Sequence, residues 1–447
     1  MLTKTLKAIG SRRQWLQDDL LRSLFKNAAV LFSGNMVASL LGLASLALTA
    51  RALGVEQFGF LVLITTYVLI VDRLVNFQSW QAIIKYGADA LEQGRQEDFK
   101  SLVKFGFLLD GATAVLGAVI AAGSAWFVSH WRGWDDQLVL MAALYSFTIL
   151  FNISGTPTAI LRLFDKFKLV AYQSVISSAI KLVGVTIVFL SGAGLWAFLV
   201  VWAIVDIVGK IILVFFAGQE LKAKGYWGFW GNSAKAISQK FKGIWGFVWT
   251  TNIHSSVKLG LREGDIMLVG ALIGPVGAGL YKIVKTIGST MGKVTDPLYQ
   301  AAYPDISRAV SAKNYSSIRN LILRTSKIIF IVAIACLCLF FVFGESAIYT
   351  LLGSDYVEAF IPSLVYLMGT FIAMITFTFQ PTVLAFGKAH LSLYILTIAT
   401  TAYLFILSAL IVPYGLVGAA ISFVLFYLIW AGMQVFLICR LLKGSEV

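Results

Sequence analysis

The chain has 447 residues, of which 59% are hydrophobic and only 13% charged, with a net charge of +14 and a mean hydropathy of +0.83. Soluble domains carry about a quarter charged residues, so this composition places the chain among integral membrane proteins. Bases scattered through so apolar a sequence also argue against nucleic acid as a partner.

Residues 1–27 are basic (Lys4, Lys7, Arg12, Arg13, Arg22 and Lys26) and lack the small-residue cleavage site of a signal peptide. Leu2, Leu6, Ile9, Leu16, Leu20 and Leu24 recur at helical spacing, which fits a helix lying on the membrane surface as well as it fits a frayed basic tail. A membrane helix needs about 20 mostly apolar residues. Twelve candidate spans follow, at 28–50, 58–82, 104–128, 137–161, 168–190, 195–217, 245–273, 277–301, 324–343, 359–386, 391–412 and 415–439. The chain thus divides into a basic segment (1–27), a first lobe (28–217), a linker (218–244) and a second lobe (245–441). Of the 36 Lys and Arg residues, 26 fall in the tails and alternate loops on one side, against Arg51 and Arg132 on the other. The positive-inside rule then puts both termini in the cytoplasm.

The two halves repeat each other. "RALGVEQFGFL" (51–61) aligns with "GALIGPVGAGLY" (270–281), placing Gly54 on Gly274 and Gly59 on Gly279. "KYGADALEQGRQEDFKSL" (85–102) aligns with "AYPDISRAVSAKNYSSIR" (302–319), "TPTAILRLFDKF" (156–167) with "QPTVLAFGKAHL" (380–391), and "AGLWAF" (193–198) with "YGLVGA" (414–419). Six spans per half is an even number, so both halves enter the bilayer in the same sense. The expected fold is all-α and integral to the membrane, with twelve transmembrane helices in two six-helix lobes related by a pseudo-twofold axis along the membrane normal. A cleft between such lobes can open to either side by rocking, which is alternating access.

Charges inside the spans mark the candidate site. A charge at the centre of a membrane helix costs roughly 2.5–3.5 kcal/mol on insertion scales, so these side chains must face protein or water. Thr251, Ser255, Lys258, Arg262 and Asp265 form one polar stripe on span seven, and Lys282, Lys285, Ser289, Lys293 and Asp296 form a second on span eight. Span two adds Asp72 and Arg73, with Arg73 at the repeat position of Lys293; Asp110, Lys181, Asp206 and Lys210 lie on spans three, five and six. Asp206 with Lys210, and Arg262 with Asp265, suit helix-gluing pairs. The excess of bases, weighted to the second lobe plus Arg73, predicts an anionic cargo; a phosphate or pyrophosphate fits, because Arg grips two oxygens and Lys supplies point charge. Pro157 and Pro381 match across the repeat as kinks, with or without a part in motion. Trp131, Trp134, Trp227 and Trp230 read as interfacial anchors.

Enzyme signatures do not appear. The three cysteines (Cys336, Cys338, Cys439) lie in apolar runs and the three histidines (His130, His254, His390) are scattered, so neither a metal site nor a disulfide frame is expected. There is no phosphate-binding G-x-x-x-x-G-K-[ST] loop and no nucleophile elbow. No cofactor is expected, and an ATP-driven pump in one chain is disfavoured.

The stretch "LFSGNMVASLLGLASLALTARALGVEQFGFLVLITTY", with its small-residue first helix and A-R-x-L-G-x-x-x-F-G pattern, resembles polysaccharide-transporter members of the multidrug/oligosaccharidyl-lipid/polysaccharide (MOP) exporter superfamily. The resemblance implies a MATE-like fold and a flippase in the bacterial inner membrane. Such a flippase moves undecaprenyl-pyrophosphate-linked oligosaccharides from the cytoplasmic to the periplasmic leaflet for O-antigen (lipopolysaccharide), enterobacterial common antigen or capsule. It implies a cationic central cavity for pyrophosphate and glycan while the lipid tail stays in the bilayer. The substrate-binding candidates are then Arg262, Lys258, Lys293, Lys285, Lys282, Arg73, Lys181 and Arg51, the last able equally to gate or to snorkel. Asp72, Asp265, Glu263 and Asp296 are the acidic candidates should a proton or sodium gradient drive transport. A functional monomer is expected, with a polymerase of the same pathway as a candidate partner. The alternatives are a cation-coupled MATE-type drug antiporter, whose cationic substrates fit the basic excess poorly, and a membrane glycosyltransferase or polymerase, which would need a larger extramembrane part. A peptidoglycan-precursor flippase would usually carry two more spans.

Overall fold

A computed structural model describes the backbone of residues 2–443 apart from 78, 133–135, 232–236 and 294. Side chains are described from residue 31 to 442, except at those positions and at 127–132, 254, 257, 258, 261, 297, 300, 301, 304 and 305. The candidate ligand Lys258, the tail 1–27 and the anchors Trp131 and Trp134 therefore lie outside the described side chains.

Among the described residues all regular structure is helical. Among these described residues nine stretches are long and apolar enough to cross a membrane: Leu31–Glu92, Gln96–Trp126, Asp136–Leu163, Phe167–Ser191, Leu195–Ala223, Arg262–Gly292, Tyr315–Leu352, Ser354–Ala385 and Ala389–Leu442. A straight helix of 54 residues would run about 80 Å, well over twice the ~30 Å hydrocarbon core. The chain instead turns inside three of the nine, at Gly54 (φ 69°, ψ 171°), Gly274 (φ 81°, ψ −178°) and Gly415 (φ 55°, ψ −137°). Positive φ of this kind is open to glycine and costly for other residues.

Gly54 and Gly274 are the pair that the repeat alignment superimposes, and Gly415 falls opposite Gly194 in the gap before Leu195. Other breaks repeat as well. Span two is interrupted at Asn76 and Phe77 and resumes as Ser79–Glu92; span eight ends at Gly292 and the chain resumes as Thr295–Ser311. Span four breaks before Gly155–Leu163, which holds Pro157, and span ten breaks before Phe379–Ala385, which holds Pro381.

Packing joins the halves at one end. A single core cluster unites Ala50, Leu53, Phe58 and Leu61 of the first half with Leu280, Tyr281, Tyr356 and Phe360 of the second. At the end carrying the basic loops each half keeps its own core. One is built on Ala82, Phe99, Ile160 and Leu221, the other on Phe379, Val383, Ala431 and Ile438.

The A-R-x-L-G-x-x-x-F-G stretch makes the joined end. The carbonyl of Ala50 accepts from the Tyr356 hydroxyl at 2.9 Å, and Arg51 Nη1 donates to the Thr350 carbonyl at 2.8 Å. Leu53 is buried, Gly54 turns the chain, and Phe58 packs edge-on against Tyr356 at 6.1 Å between ring centroids. A methyl group on Gly59 would overlap the Pro275 carbonyl, and one on Gly279 would lie 2.7 Å from the Val55 carbonyl oxygen. Glycine at both places lets the two backbones approach closely.

Span seven straddles the halves. Its first turns, within Ile244–Leu259, pack on the first half: Trp245 lies edge-on to Phe105 (5.3 Å) and Trp249 to Phe77 (4.8 Å). A five-residue π turn, Gly260–Gly264, follows; beyond it Asp265 is held by second-half side chains, while a methyl group on Gly270 would overlap Leu63 of the first half.

Candidate functional site

The first cavity, of about 290 Å³, sits between the halves. Arg73, Lys181, Lys210 and Lys282 line it together with Asp72, Asp206 and Glu263. Five of these seven charges come from the first half. The expectation of a cleft charged mainly by the second lobe is corrected here, and the reason is local geometry on spans seven and eight.

The span-seven stripe presumes an unbroken 3.6-residue period. The π turn at Gly260–Gly264, with its wider i→i+5 pattern, changes the phase. Arg262 ends exposed and lines neither described cavity, Glu263 turns into the first, and Asp265 is 0% exposed. Asp265 does not pair with Arg262. Lys285 Nζ reaches its two carboxylate oxygens at 2.6 and 2.8 Å and also donates to the Arg262 carbonyl. The hydroxyls of Tyr281 and Tyr403 each donate to Asp265 Oδ2 at 3.1 Å, and the Ile266 N–H donates to Oδ1 at 2.8 Å. Lys285 and Asp265 are therefore spent on each other, which leaves neither facing a cargo.

The span-eight stripe divides too. Lys282 enters the first cavity, whereas Ser289, Lys293 and Asp296 border a second groove of about 750 Å³. Leu31, Phe32, Met36, Leu40, Leu43 and Leu46 of the first helix give this groove an apolar wall. Lys293 Nζ crosses it to donate to Ser39 Oγ at 2.8 Å. Arg73 and Lys293, matched by the repeat, thus open into different spaces. Arg51 belongs to neither; its guanidinium is taken by the Thr350 carbonyl at the joined end.

In the first cavity the charges are held without direct pairing. Among the described residues, no ion pair within 4 Å joins these seven side chains. Asp206 accepts from the Tyr145 hydroxyl at 2.6 Å and forms no such pair with Lys210. Asp72 is bound by Asn152 Nδ2 (2.5 Å) and Asn76 Nδ2 (3.4 Å), one residue from each of the breaks in spans four and two. Lys181 Nζ stands 3.3 Å from the centroid of the Trp202 ring, a cation–π contact that holds the ammonium without neutralising it. Lys210, Asp206, Tyr145, Asn152 and Trp202 complete the wall, although the stripes did not point to them. The in-span charge of Lys210 and Asp206 was signal enough; the neutral residues carried none.

The sequence profile described as polysaccharide biosynthesis protein matches residues 24–310, more than half of the chain. The chain belongs to that family. Inner membrane protein YghQ of Escherichia coli (strain K12) is 32% identical over 299 residues, 66% of this chain and 83% of that protein. Among solved structures, the lipid II flippase MurJ in an inward closed conformation matches with a TM-score of 0.73 at 14% identity, over 93% of this chain and 91% of that one. An inward-facing multidrug resistance MATE transporter of the MOP superfamily matches with a TM-score of 0.71 at 15% identity, over 94% of this chain and 99% of that one. At such identities the likeness is one of fold, and the fold is the one these two MOP-superfamily structures share.

On this polysaccharide-biosynthesis chain the four acidic candidates have separate fates. Glu263 and Asp72 line the first cavity, Asp296 borders the groove, and Asp265 is closed off by Lys285 and two tyrosines. The described residues hold no group of three or more His, Cys, Asp or Glu side chains placed to bind a metal.

Proposed function

We propose that this protein is a lipid-linked oligosaccharide flippase that carries an undecaprenyl-pyrophosphate-linked glycan from the cytoplasmic to the periplasmic leaflet of the bacterial inner membrane by alternating access. The observation that carries the reading is the convergence of Arg73, Lys181, Lys210 and Lys282 from both halves on one cavity, with none of them ion-paired to its acids. Unpaired bases in the membrane interior are costly and mark a binding place for anions. The diphosphate meets the four bases, and hydroxyl-rich sugar accepts and donates hydrogen bonds with Asp206, Glu263, Asn152 and Tyr145. The groove supports the same reading, because Lys293 and Asp296 edge an apolar wall suited to a hydrocarbon chain. The one-sided basic loops support cytoplasmic termini, and the inner-membrane relative supports the choice of membrane.

The test is reconstitution in vesicles with a labelled polyprenyl-pyrophosphate sugar, scoring its arrival on the opposite leaflet. Lys282→Ala and Arg73→Ala are expected to abolish transport in protein that still elutes as folded. Undiminished transport in both variants overturns the assignment of the cavity. A cation antiporter is the second reading, favoured by the three carboxylates Asp72, Asp206 and Glu263 in the same wall. Gradient-driven uptake of a cationic dye that competes with no pyrophosphate lipid would select it.

A further inference from the structure

The second half carries an apolar slot that opens outward, away from both spaces described above. The slot measures about 340 Å³ and lies between spans eleven and twelve, where Leu391, Tyr394 and Ile395 face Gly432, Met433 and Phe436. None of its lining residues borders the first cavity or the groove beside the first helix. Tyr394 and Phe436 form its rims and are 65% and 70% exposed. Gly432 forms its floor, and a methyl group there would meet no atom within 4 Å. The slot is thus open at a helix surface where a larger side chain could have filled it.

One end of the slot is basic. Lys388 stands directly before the helix of span eleven, and its carbonyl accepts the N–H groups of Leu391 at 3.1 Å and Ser392 at 3.2 Å. His390 precedes Tyr394 by four residues and shares its face, and Arg440 follows Leu437, another lining residue, by three. Lys388, His390 and Arg440 are all exposed, and among the described residues none has a carboxylate within 4 Å. The helix that starts at Ala389 adds the positive end of its dipole at the same place. Basic pockets between membrane helices, on the side of the basic loops, take the head groups of anionic lipids.

We propose that this slot is a site for one anionic phospholipid of the leaflet that borders the basic loops. Its phosphate meets Lys388, His390 and Arg440, and one acyl chain lies on Gly432 between Tyr394 and Phe436. A zwitterionic lipid brings its own cation to the bases and gains less from them. The polyprenyl chain of a cargo is a poorer match, because the slot shares no residue with the cavity or the groove. The bound lipid links the ends of spans eleven and twelve. Other residues of span twelve, Ala431 and Ile438, join Phe379 and Val383 in the separate core that the second half keeps at this end. The lipid therefore braces that core from outside.

The test measures no transport, so its failure and the failure of the flippase reading are separate results. The full chain is placed in phosphatidylcholine nanodiscs with a trace of phosphatidylglycerol that carries a photoreactive group on one acyl chain, and labelled peptides are mapped by mass spectrometry. Labelling is expected at 391–395 and 432–437, stronger than at the exposed Phe341, Val342 and Phe343 of span nine. Unlabelled phosphatidylglycerol should compete for it, and added phosphatidylcholine should not. Lys388→Gln combined with Arg440→Gln should weaken the apparent affinity roughly thirtyfold, at about fivefold for each base. Gly432→Leu fills the slot and should abolish the labelling in protein that still elutes as folded. Should Gly432→Leu fail to fold, the double variant keeps the slot and decides the question alone. Equal labelling by a phosphatidylcholine analogue overturns the proposal, as does labelling no stronger than on span nine. Displacement by a polyprenyl pyrophosphate in preference to phosphatidylglycerol also overturns it and assigns the slot to the cargo.

Discussion

Replacing Lys285 by methionine tests the division of labour among the bases. The substitution keeps an unbranched side chain one atom shorter and removes its charge. It leaves Asp265, 0% exposed, with only the Tyr281 and Tyr403 hydroxyls and one backbone N–H to hold a full negative charge. Removing one partner of a buried ion pair costs about 3–5 kcal/mol. At about 2.1 cal/mol/K of unfolding entropy per residue, a chain of this length moves its melting temperature by roughly 1 °C per kcal/mol. The expected loss is therefore at least about 3–5 °C. It is a lower bound, because helices that persist in detergent reduce the entropy of unfolding. The assay is a melting curve of purified protein in detergent, run on Lys285→Met, on Asp265→Asn and on the double variant. The double variant removes both charges and should recover more than half of the loss, since two neutral groups of similar shape carry no unpaired charge. Lys285 acting instead as a cargo ligand would give a different pattern. Transport would fall with no change in melting, and the double variant would recover nothing. That outcome would refute the pairing.

Gly59→Ala places a methyl group on the Pro275 carbonyl and so pushes the halves apart at their joined end; the expected result is a destabilised protein and lost transport, read by melting and by the vesicle assay. Gly54→Ala should cost about 1–3 kcal/mol through its positive-φ, extended backbone alone, a loss visible as a lower melting temperature. Arg51→Ala removes one hydrogen bond to the Thr350 carbonyl; it should cost no more than about 1.5–3 kcal/mol and leave the affinity for a pyrophosphate lipid unchanged in an equilibrium binding measurement.

The architecture was legible because its signals are collective. Hydropathy, the one-sided bases and four matched segments each survive local error, and the turns at Gly54 and Gly274 fall where the repeat alignment superimposed them. The site was less legible because it depends on helical phase. A stripe drawn at 3.6 residues per turn cannot anticipate the π turn at Gly260–Gly264, which parts Arg262 from Asp265. Nor does the sequence reveal which cation claims which carboxylate. Asp265 had Arg262 three residues away and took Lys285 twenty residues away, because the turn at Gly274 folds span eight back against span seven.

The same turn explains how one motif serves both closure and movement. Ala50, Arg51, Leu53 and Phe58 contact the 350–356 segment or the shared core, while Gly54 and Gly59 allow the tight turn and the close approach. Nearly every marked position of the motif thus acts at the joined end, away from the bases that would meet a cargo. Rocking requires that end to come apart while the separate cores at the other end meet. Hydrogen bonds to the backbone carbonyls of Ala50 and Thr350, one of them exposed, suit a contact of that kind better than a buried ion pair would, since water replaces each partner when the contact opens. Span seven, with its first turns on the first half and its Asp265 held by Lys285, Tyr281 and Tyr403 of the second, would bend if the halves moved in that way. Among its described residues, the π turn at Gly260–Gly264 is where the regular α-helical hydrogen bonding is already interrupted. The bend would turn Glu263 relative to Lys282 across the cavity, so that closure at one end and the charge presented to the cargo change together.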